Sequence, residues 1–197
     1  MIIWVNGAFG AGKTQVAHEL RRRLGCGWVA DPELVGFGLH RMLPRALRRD
    51  FQDEPAWRLG VRDALHRLDA DGSVQPVIVP MTLVVDAYAD EILDGLRAAG
   101  HDLRHVTLVA SPATLRRRLR SRGPRDTWAT AQIARCTAAL AAPRFARHVP
   151  TDDRAIDEVV EDVALGFGLP LRRPRGRPPI AFLRRRAVQL RHVRVLW

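Results

Sequence analysis

Gly7-Ala8-Phe9-Gly10-Ala11-Gly12-Lys13-Thr14 satisfies every fixed position of the phosphate-binding loop pattern G-x-x-x-x-G-K-[ST]. Each residue type has a task there. Glycines let backbone N–H groups turn inward around a β-phosphate, and the helix that follows adds its dipole. A lysine ammonium reaches the β- and γ-phosphates as a point charge, and the Thr14 hydroxyl suits Mg²⁺. Ala8, Phe9, Ala11 and Gln15 complete the stretch expected to touch the nucleotide. Lys13 is the single lysine among 32 Lys and Arg residues. Whatever bias converted the other basic positions to arginine stopped where a planar, bulky guanidinium is a poor substitute. The ligand implied is a nucleoside triphosphate with its magnesium.

Two other groups of residues have the types that chemistry at a triphosphate requires. Asp31 is predicted at the tip of a short strand. Strand tips at the C-terminal edge of an open α/β sheet face the ligand crevice. A carboxylate there accepts a proton from a substrate hydroxyl or holds a magnesium-bound water. The structural alternative is a turn or helix N-cap role before Pro32. Residues 111–125 hold six arginines. They form either a solvated basic face or a lid. The spacing Arg118-Leu119-Arg120-Ser121-Arg122 resembles the R-L-x-x-R lid helix of small P-loop kinases. That resemblance would lay Arg118 against the adenine or the phosphates and set Arg122 to neutralise charge on the transferred phosphoryl group. One partner is missing: the strand at 77–79 runs into Pro80-Met81-Thr82, and the nearest acid is Asp86. Magnesium then rests on Thr14 and, through water, on Asp31, or Asp86 reaches back to it. Motor and ring ATPases are disfavoured.

The elements that must position these residues follow from hydrophobic period and punctuation. Apolar runs predict strands over 2–6, 28–31, 77–79, 106–110 and 146–150. Helical spacing predicts helices over 13–24, 33–42, 57–68, 86–99, 113–122, 128–141 and 155–165. Gly25, Gly72 and Gly100 serve as stops, and Ser111-Pro112 as a start. Alternating strands and helices predict an α/β fold of the P-loop NTPase type, nucleotide- or small-molecule-kinase-like. It has a parallel five-stranded sheet with helices on both faces. The expected organisation is an ATP-binding domain over 1–168 with its lid at about 111–142. A Pro/Arg-rich linker over 169–179 and a basic amphipathic tail helix over 180–197 follow.

The net charge of +11 is unevenly placed. Residues 171–197 contain nine arginines and no acid, which leaves the body nearly neutral. A nucleic-acid-binding domain is therefore not expected, because the body offers no basic face. On a helical wheel Leu183, Ala187, Leu190 and Trp197 share one side of the tail, which suits an anionic membrane surface. A helix packed on the body and an unstructured tail are the alternatives. No apolar run reaches the roughly 20 residues of a membrane span. The N-terminal Met1-Ile2-Ile3-Trp4-Val5 lacks the basic start of a signal peptide. Two distant cysteines, Cys26 and Cys136, suit reduced thiols in a cytoplasmic protein.

The run Asn6-Gly7-Ala8-Phe9-Gly10-Ala11-Gly12-Lys13-Thr14 goes beyond the bare loop pattern. Together with Asp31-Pro32-Glu33, Gly36-Phe37, Val79-Pro80-Met81-Thr82-Leu83 and the Trp-ended basic tail, it resembles the bacterial tunicamycin-resistance proteins over essentially the whole chain. The resemblance implies ATP and Mg²⁺ binding, protection against a nucleoside antibiotic, and peripheral attachment at the inner face of the membrane through the tail. It leaves open whether the drug is phosphorylated or only sequestered, and a kinase of a nucleotide or other small metabolite stands as the alternative. The partners expected are a nucleoside antibiotic or other small-molecule acceptor and the anionic membrane surface, with a homodimer left open.

Overall fold

The computed structural model describes residues 1–121 and 127–173. Arg122 and the predicted tail helix lie outside them. Five strands form one sheet in the order β2-β3-β1-β4-β5, and every pair is parallel. They are β1 (Ile2–Gly7), β2 (Trp28–Val29), β3 (Val77–Pro80), β4 (Leu103–Val109) and β5 (His148–Pro150). β1 is central and buried at all six positions. Both its faces are covered, so Ile2 to Val5 are continuously apolar rather than alternating, and the polar Asn6 comes only at the strand's end. The predicted fold class is the one observed.

The helices are α1 (Lys13–Leu24), α2 (Glu33–Met42), α3 (Pro55–Asp71), α4 (86–98), α5 (Pro112–Arg120), α6 (Thr127–Ala131), α7 (Ile133–Leu140) and α8 (Ile156–Gly166). α1 buries Val16, Ala17 and Leu20, and stops at Gly25, whose left-handed backbone (φ 76°) lets its N–H reach Arg21 O. Ser111 caps α5 by accepting from the Thr114 N–H at 3.2 Å. The Ala155 N–H, at the start of α8, donates to the Glu158 carboxylate at 2.7 Å.

Departures from the predicted elements are local. β2 ends at Val29 because Asp31 begins a turn. β4 starts at Leu103, three residues early. The helix predicted over 128–141 is interrupted at Gln132, which makes α6 and α7. α4 contains a π-helical turn at Asp90–Asp94 between α-helical ends. That wider turn presents Asp90 and Asp94 to one guanidinium, that of Arg144, which follows α7. Burial would raise the Asp94 pKa, but hydrogen bonds from Arg97 and Arg144 hold it below the usual carboxylate value. The segment that follows α7 is thereby tied to α4.

Residues 169–173, the start of the predicted linker, lie along the body. Arg172 N–H donates to Arg23 O at 2.8 Å, and Arg23 Nε donates back to Arg172 O at 3.1 Å. Arg23 is buried and also pairs with Glu161 of α8 at 2.9 Å. Among the described residues no helix is long and apolar enough to cross a membrane. Both cysteines are free thiols.

One glycine marks a close approach. Gly36 of α2 faces Phe51, and a Cβ there would sit 2.4 Å from the ring. Phe51 cannot easily retreat, because its ring packs against Phe37, His40 and Trp57 with centroids 5.4–6.1 Å apart. Gly36→Ala is expected to destabilise the fold by about 1–3 kcal/mol through overpacking. A urea melt at neutral pH checks this; an unchanged midpoint would contradict it.

Candidate active site

β1 delivers the chain to Gly7, and the loop turns back into α1 at Gly12. Gly7 is required twice over. Its φ is +146°, and a Cβ would stand 2.8 Å from Leu108 O on the neighbouring strand β4. Gly12 caps α1 with φ 101° and lies next to Ile156 of α8. Ala8, Gly10 and Ala11 are buried beneath the loop. Phe9, Lys13, Thr14 and Gln15 are half-buried at its surface. Lys13 Nζ donates to Gly7 O at 2.9 Å and Ala8 O at 3.2 Å, and stands 5.4 Å from the centre of the Phe9 ring. The ammonium is thus held inside the curve of the loop.

Asn6, the residue before the loop, is buried and makes four hydrogen bonds. Oδ1 accepts from Gly7 N–H at 2.8 Å and Leu83 N–H at 3.0 Å. Nδ2 donates to Leu83 O at 2.8 Å and faces His105 Nε2 at 3.2 Å. Thr82 Oγ1 donates to Gly7 O at 2.9 Å. Pro80-Met81-Thr82-Leu83 therefore stands where an acidic magnesium partner is otherwise expected, and it is bonded directly to the start of the loop. His105 lies on β4. Burial pushes its pKa down to about 4, and the nearby Arg97, His148 and Arg144 charges add to the effect, while its bond to Ala146 O opposes it.

Asp31, predicted at the tip of a strand over 28–31, lies two residues beyond the end of β2 at Val29, and its Oδ1 accepts from the Glu33 N–H at 3.0 Å. That bond opens α2 in the turn geometry weighed as its structural role. The arginines of α5 divide. Leu115 and Leu119 are buried, with Leu115 O and Leu119 Cγ close to Gly10. Arg116, Arg117 and Arg120 are exposed, which is the solvated basic face. Arg118 turns inward, donating from Nη1 to Thr151 Oγ1 at 2.9 Å and from Nη2 to Thr151 O. A second clamp joins the same two segments: Asp152 accepts from Ser111 N–H and Ser111 Oγ, both at 2.8 Å. The Thr114 hydroxyl bond, more than any other influence, lowers the Asp152 pKa. The base of the arginine helix is therefore fixed to the loop between β5 and α8, the helix whose Ile156 lies next to Gly12.

A cleft opens beside the loop. It is small, and its lining is Phe9, Asp50, Gln52, Thr82, Val84, Trp128, Gln132, Arg135 and Cys136. Phe9 and Trp128 meet edge to face with centroids 5.1 Å apart. Burial raises the Cys136 thiol pKa, which keeps it protonated. Asp50, Gln52, Gln132 and Arg135 were not anticipated. Residues 50–52 carry no helical or strand period, and the side chains at 132 and 135 look like an ordinary helix surface. The available cue was two aromatics, Phe9 in the loop and Trp128 at the lid, at positions a core does not need.

A family model described as an AAA domain matches residues 2–143. The chain belongs to that AAA domain family. Among solved structures it is similar to the tunicamycin resistance protein of Deinococcus radiodurans, at 29% identity and a TM-score of 0.74, covering 88% of this chain and 99% of that one. A sugar kinase from Janibacter sp. HTCC2649 follows at 16% identity and 0.64, covering 85% and 94%. The APS kinase CysC of Mycobacterium tuberculosis, in complex with AMPPNP and APS, gives 19% and 0.57 over 85% and 96%. The two kinases establish the fold, a P-loop kinase-like α/β domain. No curated protein matches the chain.

Proposed function

We propose that this AAA-family chain binds ATP at residues 7–15 and transfers the γ-phosphoryl group to a small-molecule acceptor in the cleft, and that tunicamycin is such an acceptor. The observation that carries the reading is the adjacency of loop and cleft. Phe9 belongs to both, and Thr82 lines the cleft while its hydroxyl holds Gly7. Likeness to the Deinococcus radiodurans protein over nearly its whole length supports the choice of drug. Lys13 would hold the β- and γ-phosphates. Arg118, held by Thr151 ahead of α8, would border the nucleotide. The donor set suits Mg²⁺ bound chiefly by phosphates and water: the Thr14 hydroxyl and, through water, Asp31, with no cluster of three or more metal-binding side chains among the described residues. Magnesium there would neutralise charge on the phosphate oxygens. Arg122 would add to that neutralisation, and the basic tail would hold the protein at an anionic membrane surface.

Mass spectrometry of tunicamycin incubated with the full chain and Mg-ATP tests the reading. The drug is expected to gain one phosphoryl group, and expression in a sensitive bacterium is expected to raise its tolerance. An unmodified drug together with unchanged tolerance would sink it. Raised tolerance with an unmodified drug would leave sequestration in place of transfer.

A further inference from the structure

We infer that Asp50, at the wall of the cleft, takes the proton from the acceptor, and that the acceptor is a neutral alcohol rather than a phosphorylated compound. The inference rests on the phosphotransfer reading above. Asp31, weighed above for the same role, and Asp50 each spend Oδ1 on the backbone N–H two residues further on, and of the two it is Asp50 that belongs to the lining of the cleft. Asp50 lines the cleft that Phe9 of the phosphate loop also lines. Its Oδ1 accepts from the Gln52 N–H at 3.1 Å, and among the described residues the carboxylate has no other hydrogen bond or ion pair. Oδ2 is therefore available to a ligand.

The support for Asp50 is rigid. It caps the single 3-10 turn Phe51–Asp53. Gln52, buried behind it, donates from Nε2 to Thr82 O at 3.1 Å, and Arg58 Nη1 donates to Gln52 O at 2.7 Å. Thr82 is in turn bonded to Gly7. An unbroken chain of hydrogen bonds therefore runs from the start of the phosphate loop to the carboxylate. A general base needs such placement relative to the reacting centre before anything else.

The lining also selects the acceptor. Among the described residues of its lining, Asp50 and Arg135 are the charged ones, and they cancel. A phosphate-bearing acceptor calls for several cationic donors and would meet the Asp50 carboxylate instead. Phe9, Trp128 and Val84 offer apolar faces, and Gln52 and Gln132 offer amides. That mixture suits a ring carrying hydroxyl groups. In the step, the acceptor oxygen bonds to the γ-phosphorus of ATP while the bond from that phosphorus to the β,γ-bridging oxygen breaks. ADP leaves with the electron pair, and the hydroxyl proton passes to Asp50 Oδ2 and then to water.

The test follows ADP release by the full chain in Mg-ATP with tunicamycin, uridine or N-acetylglucosamine, and with uridine monophosphate or glucose 6-phosphate. One or more of the neutral alcohols is expected to stimulate release, and neither phosphorylated compound. Asp50→Asn keeps the Oδ1 acceptor for Gln52, so the turn is preserved. It is expected to lower kcat about 10²- to 10⁴-fold, with AMPPNP affinity and melting temperature unchanged. Stimulation by the phosphorylated compounds alone overturns the acceptor class. Retained kcat in Asp50→Asn, with loss in Asp31→Asn, overturns the base. Wild-type protein that binds AMPPNP but turns over with no acceptor removes the phosphotransfer reading itself, and the assignment of Asp50 with it.

Discussion

Lys13→Ala is expected to abolish nucleotide-dependent activity, and Lys13→Arg to restore little of it. Loss of one preorganised charge aimed at developing negative charge costs about 10²- to 10³-fold in kcat, and Lys13 also contributes to binding the ground-state phosphates. The arginine variant separates charge from shape. Nζ donates to Gly7 O and Ala8 O at 2.9 and 3.2 Å, 5.4 Å from the Phe9 ring centre. A compact ammonium fits that curve, whereas a planar five-donor fork must either push Phe9 toward Trp128 or leave the loop. Titration with a fluorescent ATP analogue, alongside ADP release and a melting curve, checks both variants. Lys13→Arg with near-wild-type affinity would show that the loop asks only for charge. The rest of the chain, where every basic residue is arginine, argues against that outcome.

The fold was legible because its signals are local. Val16 and Leu20 recur at helical spacing and are buried as that spacing requires, and Gly25 ends α1 at the predicted residue. The continuous apolar run of β1 announced a central strand. The site was legible only where a contiguous motif encodes it, as in residues 7–14. Asp31 lies two residues past the end of β2 rather than at the tip of a strand, and one of its oxygens serves the backbone of Glu33. Asp50 was missed because its placement depends on a tertiary bond, from Gln52 to Thr82 O, between segments 30 residues apart. No period or spacing within residues 44–54 records that bond. Arg118 shows a related limit. The sequence left it on either a solvated basic face or a lid against the nucleotide, and Thr151, 33 residues further on, decides that it turns inward.

The second large effect concerns Asn6, which the general loop pattern leaves unspecified. Asn6→Ala would remove the acceptor for the Gly7 and Leu83 N–H groups and the donor for Leu83 O and His105 Nε2, all in a buried setting. Each stranded buried group costs about 1–3 kcal/mol, so with four of them a total loss of at least about 4 kcal/mol is expected. That is a large share of the 5–15 kcal/mol typical of a domain. ATP affinity should fall with it, because Gly7 begins the loop. Asn6→Asp is the sharper variant. Its second carboxylate oxygen would face Leu83 O and demand a proton from His105. In the wild type, His105 Nδ1 lies 3.4 Å from Ala146 O and is assigned the ring proton by that bond, so Nε2 is the acceptor that fixes the orientation of the Asn6 amide. The consequence is a pH dependence of known sign. The His105 pKa is about 4 in the folded chain against an ordinary 6.5, so as pH falls the unfolded chain takes the proton first. The stability contributed by neutral His105 is complete above about pH 6.5 and is lost as pH falls toward 4, by an amount on the order of 3 kcal/mol. Urea midpoints at pH 7 and pH 5 should therefore differ more for the wild type than for His105→Gln, which cannot titrate. Identical pH dependence in the two proteins would show that His105 does not govern it. Asn6→Asp should depart in the opposite sense, since a carboxylate beside His105 stabilises its protonated form.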